Sequence, residues 1–201
     1  CIFSDDDNLL NYLLAFLNSK IANELMKVLA PTLDFNSGVV AKVPYILSNQ
    51  ISIELIDTCI YLSTIDWDSK ETSWDFQQNE LIRCKSNCGQ NCADIELLSE
   101  EDRYEILGMT KIPTDSNLLE ACYEAYKSKW KQMFFQLHHN EEELNRQFIE
   151  IYGLQDELTP DVPLEEITIL QEETSIENGE LVFHADEVFA QFVSYAVGCM
   201  F

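Results

Sequence analysis

Ser116-Asn-Leu-Leu-Glu-Ala-Cys-Tyr-Glu-Ala-Tyr-Lys-Ser-Lys-Trp-Lys-Gln-Met-Phe-Phe-Gln-Leu137 carries a long helical period. Leu119, Cys122, Tyr123, Tyr126, Trp130, Met133, Phe134 and Leu137 recur at intervals that put them on one mostly apolar stripe. A helix of that length spans about 33 Å, which suits a spacer or bundle arm better than a compact hub. Asn140 followed by Glu143 reads as a capping box, so the sequence predicts a break at His138-His139 and a fresh helix from 141. That helix would carry Leu144, Phe148, Ile149 and Tyr152 and close on Gly153. Glu141 to Glu143 would then sit in a first turn, where the helix dipole favours acids.

Upstream, residues 8–30 read as one helix capped by Asn8, apolar from Leu9 to Leu29 and stopped by Pro31. The next segment has turn chemistry at Asn36, Ser37 and Gly38, with Val39 to Val43 as an edge strand ended by Pro44. A second helix is expected from Ser48 to Ser63. The polar loop Asp66 to Phe76 follows, its Trp67, Trp74 and Phe76 read as pinning the loop to a core rather than stacking on bases. Residues 83–96 look irregular, and a short helix is expected from Ser99 to Gly108. Residues 154–184 read as an acidic connector, with Ile167 to Leu170 as a short strand, before a last helix from Asp186. The expected fold class is mainly α: a helical spacer or bundle with a short extended loop-strand element near 32–43 and a short strand near 167–170.

Composition narrows the possibilities. The chain has 201 residues, 46% hydrophobic and 11% aromatic, enough for one sizeable core or two small ones. Its formal charge is −24, from 36 acids against 12 bases, and such a surface repels phosphate. No apolar run reaches the roughly 18 residues of a membrane span, so no membrane partner is expected. Seven cysteines without secretory features suggest free thiols in a reducing, cytoplasmic setting. Cys1 is no initiator methionine and the stretch up to Phe201 is apolar, so the chain reads as an excised segment.

Absent motifs are informative. The five prolines are isolated, so no Asn-Pro-Pro-Tyr tetrapeptide exists to hold a flipped adenine. The six glycines never fall as G-x-G, which removes both a Rossmann loop and a P-loop. No catalytic residue and no cofactor site is therefore expected within this segment. Cys84, Cys88 and Cys92 form C-x₃-C-x₃-C, which would suit zinc or an iron–sulfur cluster with Cys122 or a histidine as fourth ligand. Zinc knuckles use C-x₂-C and no second pair matches, so ordinary free cysteines are the preferred reading. His138 and His139 lie one helical turn from Glu142 and Glu143, a spacing that can hold a metal or a proton, although a solvated junction explains it as well. The first fifty residues hold Lys20, Lys27 and Lys42 against five acids, the least acidic organised stretch. If any part approaches a DNA backbone, the loop from Phe35 to Lys42 is the candidate, with Asn36, Ser37 and Lys42 as contacts.

Several tags share one source. Leu14-Ala-Phe-Leu-Asn-Ser-Lys20, Ala30-Pro-Thr-Leu-Asp-Phe35, Gly38 and Val43-Pro44 resemble the end of the target-recognition domain in PglX-type (BREX phage-exclusion) adenine-specific DNA methyltransferases. Asp66-Trp-Asp-Ser69, Glu71-Thr-Ser-Trp-Asp-Phe76, Glu141 to Arg146, Phe148 to Pro160 and Ser194 to Phe201 look like that family's region behind the domain. The resemblance implies a parent enzyme that uses S-adenosylmethionine to methylate adenine N6 in a short duplex DNA site. It also implies a tail of the recognition domain over 1–47, a helical spacer over 48–153, and an acidic connector with a truncated helix over 154–201. No family catalytic or cofactor residue has a matching position here. Duplex DNA would be met through the parent. A rival reading is an acidic helical adaptor that docks other proteins of the defence system through Trp130 and Phe134.

Overall fold

A computed structural model describes residues 5–30, 37–87 and 118–200. The described elements run α1 (Asp7–Asn18), α2 (Lys20–Leu29), α3 (Ser37–Val40), α4 (Ile53–Asp68), α5 (Glu80–Asn87), α6 (Leu118–Tyr152), a 3₁₀ turn (Leu164–Glu166), β1 (Thr174–Glu177), β2 (Glu180–Phe183) and α7 (Ala185–Gly198). The chain is mainly helical, with one small antiparallel hairpin. The expected helix from Ser99 to Gly108, the irregular stretch beyond 87, and Asn36, Cys88 and Cys92 lie outside the described residues.

The chain divides into two compact units, residues 1–62 with 136–167 and residues 63–135 with 168–201. The first unit is built around Phe148. Its ring meets Tyr12 edge-on at 5.7 Å and Phe16 at 5.8 Å, and Phe16 stacks on Tyr152 at 6.0 Å. Ile21, Ala22, Val43, Ile51, Ile56, Leu144 and Ile149 complete that core. The second unit buries Tyr126, Trp130 and Phe134 from α6, along with Leu81, Ile169, Leu170 and Val188. Tyr126 touches Trp130 and the hairpin's Phe183, while Tyr123 packs on Phe189.

Several boundaries differ from the sequence reading, each for a local reason. The single helix expected over 8–30 is two. Ser19 leaves helical backbone angles, donates its hydroxyl to Phe16 O at 2.6 Å and accepts from Ala22 N, which ends α1 and caps α2 together. The cap of α1 is Asp6 rather than Asn8, accepting from Asn8 N and Leu9 N. The break at His138-His139 does not occur. Asn140 is buried inside α6 and accepts from Gln136, four residues back, so it has no orphan amides to cap. Glu141 to Glu143 accordingly lie in the middle of α6, not in a first turn. The helix ends at Gly153, as expected. Gly153 has φ +67°, and its N–H bonds Glu150 O while Leu154 N–H bonds Ile149 O, the two bonds of a Schellman ending.

The edge strand over Val39 to Val43 is replaced by α3 and a turn. Ala41, Lys42 and Val43 donate to Ser37, Val39 and Val40, so the backbone is satisfied locally and β-branched side chains do not decide the outcome. The second helix begins at Ile53 and reaches Asp68, and residues 83–87 are helical rather than irregular. Ile167 to Leu170 form no strand: Leu170 takes φ +59° and donates its N–H to Asp66 at 3.0 Å. The strands lie just beyond, paired Glu177↔Glu180 across Asn178-Gly179, both with positive φ. The loop after α4 is held by Phe76, edge-on to Tyr195 at 5.7 Å, but Trp67 is 60% exposed and Trp74 fully exposed. Those two tryptophans do not pin the loop.

Truncating Phe148 to Ala should cost about 3–5 kcal/mol, because its ring is wholly buried among aromatic neighbours. Phe135→Ala, at a 38% exposed position, should cost well under that. Urea unfolding of both variants by circular dichroism checks the contrast.

Candidate functional site

In the first unit, residues 41–52 connect α3 to α4, and Lys42 is the sole charge between Phe35 and Ile53. The part from Pro44 to Ser48 is irregular, and such backbone must find hydrogen-bond partners outside itself. It finds them on two phenols. Tyr12 of α1 donates its hydroxyl to Ile46 O at 2.6 Å, and Tyr152 of α6 donates to Pro44 O at 2.9 Å while accepting from Ile46 N at 3.1 Å. Burial raises the pKa of both phenols, against opposing backbone hydrogen bonds from Ser48 and Ile46, so both stay protonated as donors. Val43 and Ile51 anchor the two ends in the core. Held this way, the segment presents Tyr45, Ile46 and Leu47 to solvent, at 50%, 46% and 59% exposure.

Ser37 opens α3 and Lys42 follows it, both exposed. They therefore belong to the same exposed connection as Tyr45 to Leu47. Sequence reasoning missed the three apolar residues, because nothing local says that two distant tyrosines fix their backbone.

The same face of α6 organises other irregular backbone. His138 Nε2 lies 2.8 Å from Val162 O, and Glu142 accepts from Val162 N at 3.2 Å. The two side chains are 3.4 Å apart, so the expected one-turn pairing of His138 exists, and it serves the backbone of Val162. Beside them, burial pushes the Glu141 carboxyl up to about 7, partly opposed by His138 and reinforced by Glu166. Cys59, in contact with Asn140, is pushed up to about 12, chiefly by burial and then by Glu141.

The second unit buries charge. Glu173, 1% exposed, pairs with Lys70 and accepts from Gln191 at 2.7 Å, while its Oε2 has no partner. Glu80 accepts from Lys129 at 2.9 Å, and its other oxygen lies 3.1 Å from Arg83 at ion-pair distance without hydrogen-bond geometry. Burial also raises the pKa of Asp66, against the pull of Lys70. A cleft of about 10 Å³ is lined by Ser69, Asn79, Glu80, Tyr126 and Gln191, room for about one water. These carboxylates tie the loop after α4, helix α5 and the hairpin base to their own unit.

Cys84 is buried on α5 and Cys122 on α6; Cys88 and Cys92 fall outside the described residues. Among the described residues no group of three His, Cys, Asp or Glu side chains has metal-binding geometry. Trp130 and Phe134 are 0% and 2% exposed, so the docking surface expected of them is core instead. No described helix is long and apolar enough to cross a membrane.

No protein-family model matches the chain. Over 99% of its length it is 31% identical to "Adenine-specific methyltransferase PglX" of Lacticaseibacillus casei (strain Zhang). It is 27% identical, over the same share, to "Adenine-specific methyltransferase BrxX" of Escherichia coli O9:H4 (strain HS). The chain spans 14% of the length of either relative.

Tyr152→Phe should remove one donor and one acceptor and cost about 1 kcal/mol, with hydrogen-exchange protection of the Ile46 amide lost first. Glu141 holds its proton more tightly folded than unfolded, so its contribution to stability falls as pH rises from about 4.5 to about 7 and is level above. Glu141→Gln should therefore flatten that dependence and be more stable than the parent chain at alkaline pH, read by urea midpoints across the range.

Proposed function

From the near end-to-end match to one segment of PglX-type adenine-specific methyltransferases, we propose that this chain is a recognition and spacer segment of a larger, site-specific DNA adenine-N6 methyltransferase acting in phage defence. The single observation that carries the reading is 31% identity sustained over 99% of the chain. The segment helps position the recognition domain relative to the catalytic domain and performs no methyl transfer itself. Supporting the second half is a sequence without paired prolines or spaced glycines, leaving no device to hold a flipped adenine or a nucleotide-like cofactor.

S-adenosylmethionine would be the parent's cofactor. The cleft lined by Ser69, Asn79, Glu80, Tyr126 and Gln191 in the second unit has room for about one water, whereas a ligand of that size needs hundreds of Å³. Duplex DNA is met through the parent, and the connection bearing Ser37, Lys42 and Tyr45 to Leu47 is the part of this chain suited to it. It has no acid in a chain of charge −24, and its exposed side chains sit on a fixed backbone. Its contribution is one local contact within a larger interface.

In the full parent, Lys42→Ala should weaken duplex binding a few-fold and reduce the salt slope by about 1, the signature of one lost phosphate contact, leaving cofactor affinity unchanged. Calorimetric titration of the 201-residue chain alone with S-adenosylmethionine should give no heat of binding. Micromolar binding of the cofactor there would overturn the non-catalytic reading, and an unchanged salt slope would remove Lys42 from the interface.

A further inference from the structure

The second unit exposes large apolar side chains and acids on two segments that touch each other. Phe76 packs on Tyr195 and Glu71 accepts the Ser194 hydroxyl at 2.8 Å, so residues 71–76 lie against the middle of α7. Between those two anchors Trp74 is fully exposed. On α7, Val193 and Val197 lie one turn apart, 57% and 49% exposed. Glu71, Asp75 and Glu187, on the same two segments, are exposed as well. Neither α7 nor residues 71–79 contain any lysine or arginine, and Lys70 is committed to the buried Glu173.

Exposing a whole indole gains nothing for the fold, since a ring in water contributes no burial. It is the kind of side chain that anchors an interface, apolar over most of its area and fixed by few rotatable bonds. The acids on these segments select the occupant: a phosphate backbone is repelled, and a cationic side chain is attracted and can also stack on the indole.

We propose that Trp74, Val193 and Val197, together with Glu71, Asp75 and Glu187, form a docking surface for an apolar, lysine- or arginine-bearing segment of another polypeptide. This surface is distinct from the connection proposed to approach DNA, and it stands whether or not that assignment holds.

A fluorescently labelled amphipathic leucine–lysine helix is the probe, titrated into the 201-residue chain by anisotropy, with a leucine–glutamate helix of the same pattern and a short DNA duplex as comparisons. The leucine–lysine helix should bind, and Trp74→Ala should weaken it about tenfold, since truncation of an anchoring tryptophan removes 1–2 kcal/mol or more. Val28→Ala, at an 81% exposed site in the first unit, should leave binding unchanged. Trp74 is fully exposed, so its truncation leaves the fold intact, which circular dichroism verifies. Attraction to net charge alone would make Trp74→Ala and Val28→Ala indistinguishable, and that result overturns the proposal. So does absence of binding, equal binding of the glutamate helix, or a Trp74-dependent complex with the duplex.

Discussion

The C-terminal half of helix α6 supplies hydrogen bonds that backbone elsewhere in the first unit cannot make for itself. Asn145 accepts from Lys20 N at the start of α2, Gln147 accepts from Ser52 N, and His138 and Glu142 take both backbone groups of Val162. Tyr152 does the same for the stretch from Pro44 to Ile46. A buried backbone amide or carbonyl left without a partner costs as much as a lost hydrogen bond, so connections of this kind hold their shape only where partners are preplaced. Helix periodicity preplaces them. Phe148 and Leu144 face the core while His138, Glu142 and Asn145 meet the connecting segments.

This arrangement explains where exposed apolar side chains fall in that unit. Tyr45, Ile46 and Leu47 are exposed because the backbone that carries them is fixed by two phenols and two buried anchors, not because the stretch is loosely packed. A fixed backbone presents side chains at low entropic cost, which is what a contact surface needs. The connection holds no acid, and Lys42 is its one charge. The docking surface proposed around Trp74 in the second unit carries acids instead. Two surfaces of contrasting charge, each in its own unit, are what the proposed recognition and spacer role calls for. The buried Glu173–Lys70 and Glu80–Lys129 pairs belong to the architecture: each joins elements far apart in the chain, and removing one partner would strand a buried charge.

Much of this was legible in the residues themselves. The apolar period of α6, the stop at Gly153, the final helix and the mainly α class all follow from spacing and cap chemistry. The hairpin was legible too, since Asn178-Gly179 is a strong two-residue turn signal, yet the acidity around it made the segment read as a connector. Ser19 was another available signal, a cap hidden within an apolar run long enough to look like one helix. The wrong break at His138-His139 arose because Asn140 and Glu143 match a capping box whether or not amides nearby need capping.

The sequence by itself determined the helical class, the absence of methyl-transfer motifs and the family resemblance, because periodicity, turn residues and motif spacing are local properties. Tertiary structure decided which polar residue is cap and which is core, whether Val39 to Val43 could find a strand partner, and that Trp130 is buried while Trp74 is exposed. Those outcomes depend on partners distant in sequence. Tyr12 and Tyr152 are 140 residues apart yet both hydrogen-bond the backbone of Ile46. No window of sequence contains both, so only the fold could reveal the surface they create.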